Sequence, residues 1–421
     1  MKKILIILLL AINSYLLFAQ ITLTIEGTVV NNTEPGTWEG VNIPRSVPTI
    51  LTYRNNSITS VNTQGFMLQA GDEAPLSTNN NLDGEVITGN KFNWNGTNGL
   101  TIITHGLFIG YNINSIVKYN YLDKVPYGII YKSGTDAGVN MTFTSGGCAY
   151  NICKDGKFAG RIKGVNGVKV YNNTFYSGDG SGWYLLLITS NGDRAVPAPS
   201  TGLKIFNNIF YSTIQIPMIK IESGCLTNFE CDYNVYWCSV GEPTFAIDGV
   251  THTWAQWKAY GYDAHSIIVN PNFINTTDFV PTARLDYGTN LGTDWQTGLS
   301  TTATWVVGSS PTTTNQNGTW QVGARVYPSS YEEQSAKIYP NPAHEFINIR
   351  IDEPMLVLDF IRIVNISGKV VFQDKVNPNI KEFKIPINLI QGVYIVQMGS
   401  GDSTLFTQKL VISTFKESSL Q

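Results

Sequence analysis

Four cations fall within ten residues of this chain, Lys154, Lys157, Arg161 and Lys163, with Asp155 the only opposing charge among them. Lys132 precedes Arg161 by 29 residues. Charged residues make up only 14% of the 421-residue chain, so the cluster stands out from its surroundings. A lysine crowded by other cations releases its proton more readily and can act as a base. An arginine can neutralise charge that develops on a reacting group. Together they suit a polyanion, and in particular removal of the acidic proton beside a sugar carboxylate. The same cations would also serve as a solvated flank with no chemistry.

Their usefulness depends on elements that bring distant residues together. The phrase Asn-x-(large apolar) returns at Asn56, Asn90, Asn120, Asn151, Asn173, Asn208 and Asn234, at intervals of 34, 30, 31, 22, 35 and 26 residues. A period near 30 marks stacked repeats. Within each repeat the apolar residues alternate, as in Leu203-Lys204-Ile205-Phe206, and Gly, Asn and Ser turns intervene. That is strand periodicity, and it predicts a parallel β-helix in which Asn side chains bond coil to coil. Asn tolerates left-handed backbone angles, which suits it to the turn. If Ile129, Tyr131 and Ile162 point inward, then Lys132, Arg161 and Lys163 point outward. Lys132 and Arg161 would then lie on neighbouring coils about 5 Å apart. Seven recurrences would stack to roughly 30–35 Å, a flank that suits a linear polymer.

The composition bounds the alternatives. A net charge of −3 gives no support for nucleic acid as a partner. Five scattered cysteines are too few for a disulfide scaffold, and none has zinc-site spacing. Cys225 and Cys231 could pair if adjacent coils bring them together, but buried packing is the better explanation of all five. Residues 1–19 read as a signal peptide, with Lys2 and Lys3, an apolar run from Ile4, and Ala19 before Gln20. Asn13, Ser14 and Tyr15 interrupt that run, so the mature chain is expected to have no transmembrane segment. Residues 20 to about 50 could cap the open end of the stack.

After Trp237 the repeat stops. His252–Tyr260 is a short amphipathic helix candidate, followed by Gly261-Tyr262-Asp263-Ala264-His265-Ser266 and Asn270-Pro271-Asn272-Phe273. This run resembles the C-terminal turn of bacterial right-handed β-helix proteins of the pectate-lyase-like superfamily. Asn270 stands where an aspartate is usual. His265 and Asp263 could form a catalytic pair, but their place in a capping turn favours a structural role. A strand at Trp320–Tyr327 could close the last coil. Residues 328–335 form a linker. Alternating runs then predict a β-sandwich over residues 336–414, with a tail at 415–421. Tyr339-Pro340-Asn341-Pro342, Ser367-Gly368-Lys369, Gly392-Val393-Tyr394-Ile395-Val396 and Lys409-Leu410-Val411-Ile412 stand there in order. They resemble the type A C-terminal sorting domain of the type IX secretion system of Bacteroidetes. The resemblance implies a protein exported through the inner membrane, then secreted or attached to the outer-membrane surface, with the type IX machinery as partner. The expected architecture is all-β: a right-handed parallel β-helix over residues 20–327, followed by the small sandwich.

The strands bearing Lys132 and Arg161 resemble those carrying the Lys/Arg pair of β-helix alginate and chondroitin lyases. By that resemblance Lys132 is the base and Arg161 the acid or charge stabiliser. Lys154, Lys157, Lys163 and Trp183 would bind the polysaccharide. Calcium, common in such lyases, would look to Asp136 or Asp155; no metal ligand set can be named from the sequence. Arg161-Ile162-Lys163 and Thr104-His105-Gly106 also resemble polygalacturonase motifs. That family's paired carboxylates are missing, with only Asp72-Glu73, Asp83 and Glu85 as substitutes. A third expectation is glycan binding or adhesion without turnover, through aromatics such as Trp183, Tyr184 and Trp237.

Overall fold

The computed structural model describes residues 21–43, 49–71, 82–97, 102–110, 112–133, 141–192, 198–316, 318–328, 336–351, 359–376, 382–400 and 403–413. The expected signal peptide, Asp72-Glu73, Asp136, residues 329–335 and the tail lie outside that set. Two compact units divide the chain, Met1–Tyr327 and Pro328–Gln421.

The first unit is a parallel β-helix. Each coil gives one strand to each of three sheets, of 8, 9 and 9 strands. One coil runs Ile116–Lys118, Tyr121–Asp123, Tyr127–Lys132; the next runs Gly147–Ala149, Ile152–Lys154, Phe158–Lys163. Pairing is parallel and in register, with Val117 beside Cys148, Leu122 beside Cys153 and Tyr131 beside Ile162. These inward positions are among the residues that fill one continuous core along the stack. Residues 21–43 supply the first coil itself, through Ile21–Glu26, Val29–Asn32 and Thr37–Ile43, and do not form a separate cap. All five cysteines are buried thiols, so Cys225 and Cys231 do not pair.

The asparagine ladder sits inside the corner between the first and second sheets. Asn151 shows the pattern. Its backbone N–H and its Nδ2 both donate to Asn173 Oδ1, at 3.0 and 2.9 Å, and Nδ2 also donates to the Val117 carbonyl at 2.9 Å. Asn56, Asn90, Asn120, Asn173 and Asn208 repeat it, each with its successor. The corner bends sharply one residue earlier. Asn55, Gly89, Tyr119, Tyr150, Asn172, Asn207 and Tyr233 have φ between 52° and 67°. The left-handed turn therefore falls on the residue before the ladder asparagine, whose own task is to satisfy the backbone the bend strips of partners.

The last rung meets a buried carboxylate. Asn234 donates to Asp263 Oδ1 at 3.2 Å, and Ser266 Oγ does so at 2.5 Å. Trp257 Nε1 donates to Asp263 Oδ2 at 2.6 Å. Trp257 belongs to the single α-helix among the described residues, Trp254–Ala259, which Thr253 and Gln256 start with a capping box. Burial pushes the Asp263 carboxyl up, opposed by hydrogen bonds from Ser266, Trp257, Asn234 and Cys231. His265 is exposed, with Nδ1 2.7 Å from Asp232 Oδ2.

Residues 270–327 then double back along the outside of the coils. Phe273 packs on Tyr211, Phe279 on Tyr176 and Trp305 on Tyr121, with ring centroids 6.0, 5.1 and 4.8 Å apart. Gly308 N–H reaches the Asn55 carbonyl at 2.9 Å. Before that point Trp295 packs against Tyr171 at 5.1 Å, and after it Gly323 donates to the Asn207 carbonyl at 2.7 Å. Residues 320–327 therefore lie against the sides of earlier coils and do not close the last one. The corner residues reach outward to hold this strap: Tyr119 Oη donates to the Thr297 carbonyl at 2.7 Å and Asn172 Nδ2 to that of Gln321 at 2.7 Å.

The second unit is an antiparallel sandwich. Ala336–Tyr339, Phe346–Ile351 and Glu382–Pro386 form one sheet. Val370–Lys375, Phe360–Asn365, Gly392–Ser400 and Ser403–Ile412 form the other, in that order. Ile347, Ile349, Ile363, Val396 and Leu410 are buried between them.

Two substitutions test the ladder. Asn173→Ala orphans donors on Asn151 and is expected to cost about 3 kcal/mol. Asp263→Ala leaves the Trp257, Ser266 and Asn234 donors without their acceptor, and is expected to cost more than Asn173→Ala. Denaturant unfolding of the full chain measures both; a loss below about 1 kcal/mol in either contradicts these roles.

Candidate functional site

The predicted cations map onto the outer face of the third sheet, with one exception. In the pairing of Tyr127–Lys132 with Phe158–Lys163, Ile130 lies beside Arg161 and Lys132 beside Lys163. The direct neighbour of Lys132 is therefore Lys163. Arg161 is diagonal to it, about 8 Å away at the backbone by strand geometry rather than the 5 Å of a stacked pair. The three share one face because Tyr131 and Ile162 point into the core. Lys132 and Arg161 are half-buried and Lys163 is buried.

Lys157 and Trp183 lie at the opposite end of the third sheet, just before the strands Phe158–Lys163 and Tyr184–Thr189. Lys157 is buried; its Nζ donates to the Ile102 carbonyl at 2.6 Å and sits 5.0 Å from the Trp183 ring centroid. Burial pulls its pKa down. Trp183 is 37% exposed and meets Phe158 edge-on at 5.6 Å. Lys154 does not join the group. It ends a strand of the second sheet, 3.7 Å from Asp123 and from Asp155, and reaches the Thr276 carbonyl of the strap. The ten-residue cluster is split because the chain turns a corner between Lys154 and Lys157.

The sequence did not reveal the column beside these cations. Phe66, His105, Tyr127, Phe158 and Tyr184 follow one another outward on consecutive coils. Phe66 stacks on His105 at 4.9 Å, Tyr127 meets Phe158 at 5.0 Å, and Phe158 stacks on Tyr184 at 5.9 Å. A second apolar row, Phe108, Ile130 and Leu187, flanks Arg161. The detectable signal was a ring near the start of five consecutive third-sheet strands, Phe66, His105, Tyr127, Phe158 and Tyr184, at intervals of 39, 22, 31 and 26 residues. Rings in this column cover one another's faces, so they are poor stacking platforms for sugars, and Trp183 at the edge is the better one. His105 Nδ1 donates to the Gly65 carbonyl at 3.3 Å. Burial first, then the nearby Arg161 and Lys132, push its pKa down to about 3, against the Gly65 bond. It is a neutral imidazole on the cationic face.

The third-sheet strands from Gln64–Ala70 to Pro217–Ile221 contain no Asp or Glu. Glu85 is fully buried. Among the described residues no group of three His, Cys, Asp or Glu is arranged to hold a metal. Asp155 spends Oδ1 on the Gly178 and Asp179 amides, at 2.7 and 3.2 Å. Trp237 lies on the second sheet, with its indole nitrogen buried.

Among the described residues no helix is long and apolar enough to cross a membrane. No curated protein and no solved structure matches the chain. Residues 337–413 match the family described as Secretion system C-terminal sorting domain. That domain is the C-terminal signal for type IX export, so the protein is carried by that route to the cell surface or outside the cell.

Proposed function

We propose that the β-helix acts on an acidic polysaccharide at the outer face of its third sheet, cleaving it by β-elimination. The observation that carries this reading is the gathering of Lys132, Arg161 and Lys163 on one face from two adjacent coils. The strap adds support by elimination, since it packs on the outer faces of the first and second sheets. The chemistry follows from the side chains. Arg161 would neutralise the sugar carboxylate, which acidifies the adjacent C–H. Lys132, beside Lys163, would take that proton. The electron pair released forms the new carbon–carbon double bond, and the glycosidic oxygen would leave with the proton returned by the Lys132 ammonium. Lys163, Lys157 and Trp183 would hold neighbouring sugars. The carboxylate-free strands argue against an inverting or retaining hydrolase.

Glycan binding without turnover is the second reading. The close packing around the cations favours it, with Phe108 and Ile130 fully buried beside them.

The test is to incubate the full chain with alginate, pectin and glycosaminoglycans, following absorbance of the unsaturated product. Lyase activity is expected, reduced at least about 100-fold in Lys132→Ala and in Arg161→Ala. Retained glycan affinity with no absorbance supports the binding reading. Reducing ends without absorbance would overturn elimination in favour of hydrolysis.

A further inference from the structure

The cationic face is small, and carboxylates bound it. Lys132 and Lys163 head a row of outward positions that continues coil by coil through Thr189, Glu222 and Asp248. Lys163 pairs with Thr189. The Glu222 N–H donates to the Ile188 carbonyl and the Asp248 N–H to that of Ile221, each at 3.1 Å, which carries the row onward. Glu222 therefore stands two coils from Lys163, about 10 Å along the stack. Both carboxylates are fixed by backbone donors. Glu222 Oε2 accepts from Ser190 N–H at 2.7 Å, and Asp248 Oδ1 from Ser223 N–H at 2.8 Å. The bonds from Ser223 hold the Asp248 carboxyl below the usual carboxylate range. In the neighbouring row Arg161 is followed by Leu187 and then Lys220, whose ammonium turns onto the Tyr184 ring, 4.9 Å from its centroid. Toward the other end of the stack the same rows hold Gly110, Phe108 and Gln69, which carry no charge.

The positive charge also ends across the strands. Lys157 and Lys163 are separated by about 20 Å of extended chain, the length of a short oligosaccharide. At the Lys157 end the ammonium is buried against the Ile102 carbonyl, so it stiffens the Trp183 platform instead of meeting a sugar carboxylate. The turn before Trp183 holds Asp179, which is exposed, with Oδ1 accepting from Ser181 N–H and Oγ at 2.9 and 2.6 Å. A carboxylate near an exposed indole suits the hydroxyls of an uncharged sugar and repels a uronate.

On the reading of the third sheet as a polysaccharide site, we infer that its ligand is a heteropolysaccharide whose uronates are isolated among neutral sugars, and that Glu222 and Asp248 set this specificity by excluding runs of uronates. Lys132, Arg161 and Lys163 take a single carboxylate. The flanking sugars are held by contacts that need no charge, Trp183 on one side and the apolar row of Phe108, Ile130 and Leu187 beside Arg161. A chain of contiguous uronates seated on the same cations would bring a further carboxylate toward Glu222 along the stack, or toward Asp179 across it. Repulsion of the wrong ligand separates the two classes as much as attraction of the right one.

Calorimetric titration of the full chain compares two linear tetrasaccharides. One is the repeat of deacylated gellan, with a single glucuronate among neutral sugars; the other is tetragalacturonate, with a uronate at every position. The gellan unit is expected to bind at least about tenfold more tightly. Attraction by charge alone would favour the more highly charged ligand, so this order is diagnostic. The variant Glu222→Gln/Asp248→Asn keeps the oxygens that accept from Ser190 and Ser223 and removes both charges. It is expected to raise the affinity for tetragalacturonate about tenfold and to leave that for the gellan unit within about twofold. Denaturant unfolding checks that the variant is folded. Tetragalacturonate binding as tightly as the gellan unit, or a folded variant that leaves the difference unchanged, overturns the inference and leaves the polysaccharide site standing. Binding of neither ligand overturns the site itself, and the inference with it.

Discussion

A side-chain amide that bonds to the amide of the next coil is the contact on which this molecule rests. A β-helix turns a corner three times per coil, and each corner strips backbone groups of strand partners. At the corner between the first and second sheets, each of six asparagines from Asn56 to Asn208 presents two donors to one oxygen of its successor. The intervals between them vary from 22 to 35 residues, yet the rungs stay aligned. The extra residues leave through the other corners. Register across the third sheet, and so the placing of Lys132 beside Lys163, follows from that alignment.

The same corner allocates the surface. At five of these corners, Asn55, Tyr119, Tyr150, Asn172 and Asn207, the left-handed residue turns outward and bonds to the strap. Tyr150 donates to the Trp295 carbonyl, Asn207 Nδ2 to that of Thr289, and Asn55 Nδ2 to Ser310 Oγ. Arg325 is buried and tethers the strap to itself, donating to the carbonyls of Asp278, Ser300 and Ala303 at 2.8, 2.9 and 2.7 Å. The strap overlies two of the three sheets; on the outer face of the third, cations and His105 stand among packed aromatics.

Much of the fold was legible because its cause is local and repeated. The Asn-x-apolar phrase reports a corner directly, and alternation at Ile129-Ile130-Tyr131-Lys132 reports which side chains leave the core. The capping role of Asp263 was legible from its place in a tryptophan-bearing turn. The strap was not, because residues 274–327 carry short, irregular apolar runs whose partners lie far away in sequence, such as Trp305 with Tyr121. The cation cluster was half legible. Sequence proximity joined Lys154 to Lys157, whereas the corner between them sends the two to different sheets. The aromatic column was missed because each of its rings sits singly in its own repeat, and His105 among them looked like part of a different motif.

The cationic face exists only if Lys132 and Lys163 are neighbours on one wall. Nitroxide labels placed pairwise at Lys132 and Lys163, and at Lys132 and Thr189, report this through dipolar broadening of their electron paramagnetic resonance spectra. Backbone separations of about 5 Å and about 10 Å, one coil and two, are expected, so the first pair should broaden much more strongly. Equal broadening in the two pairs, or none in the first, would show that the coils do not stack in this register and that the cationic face is not assembled as described.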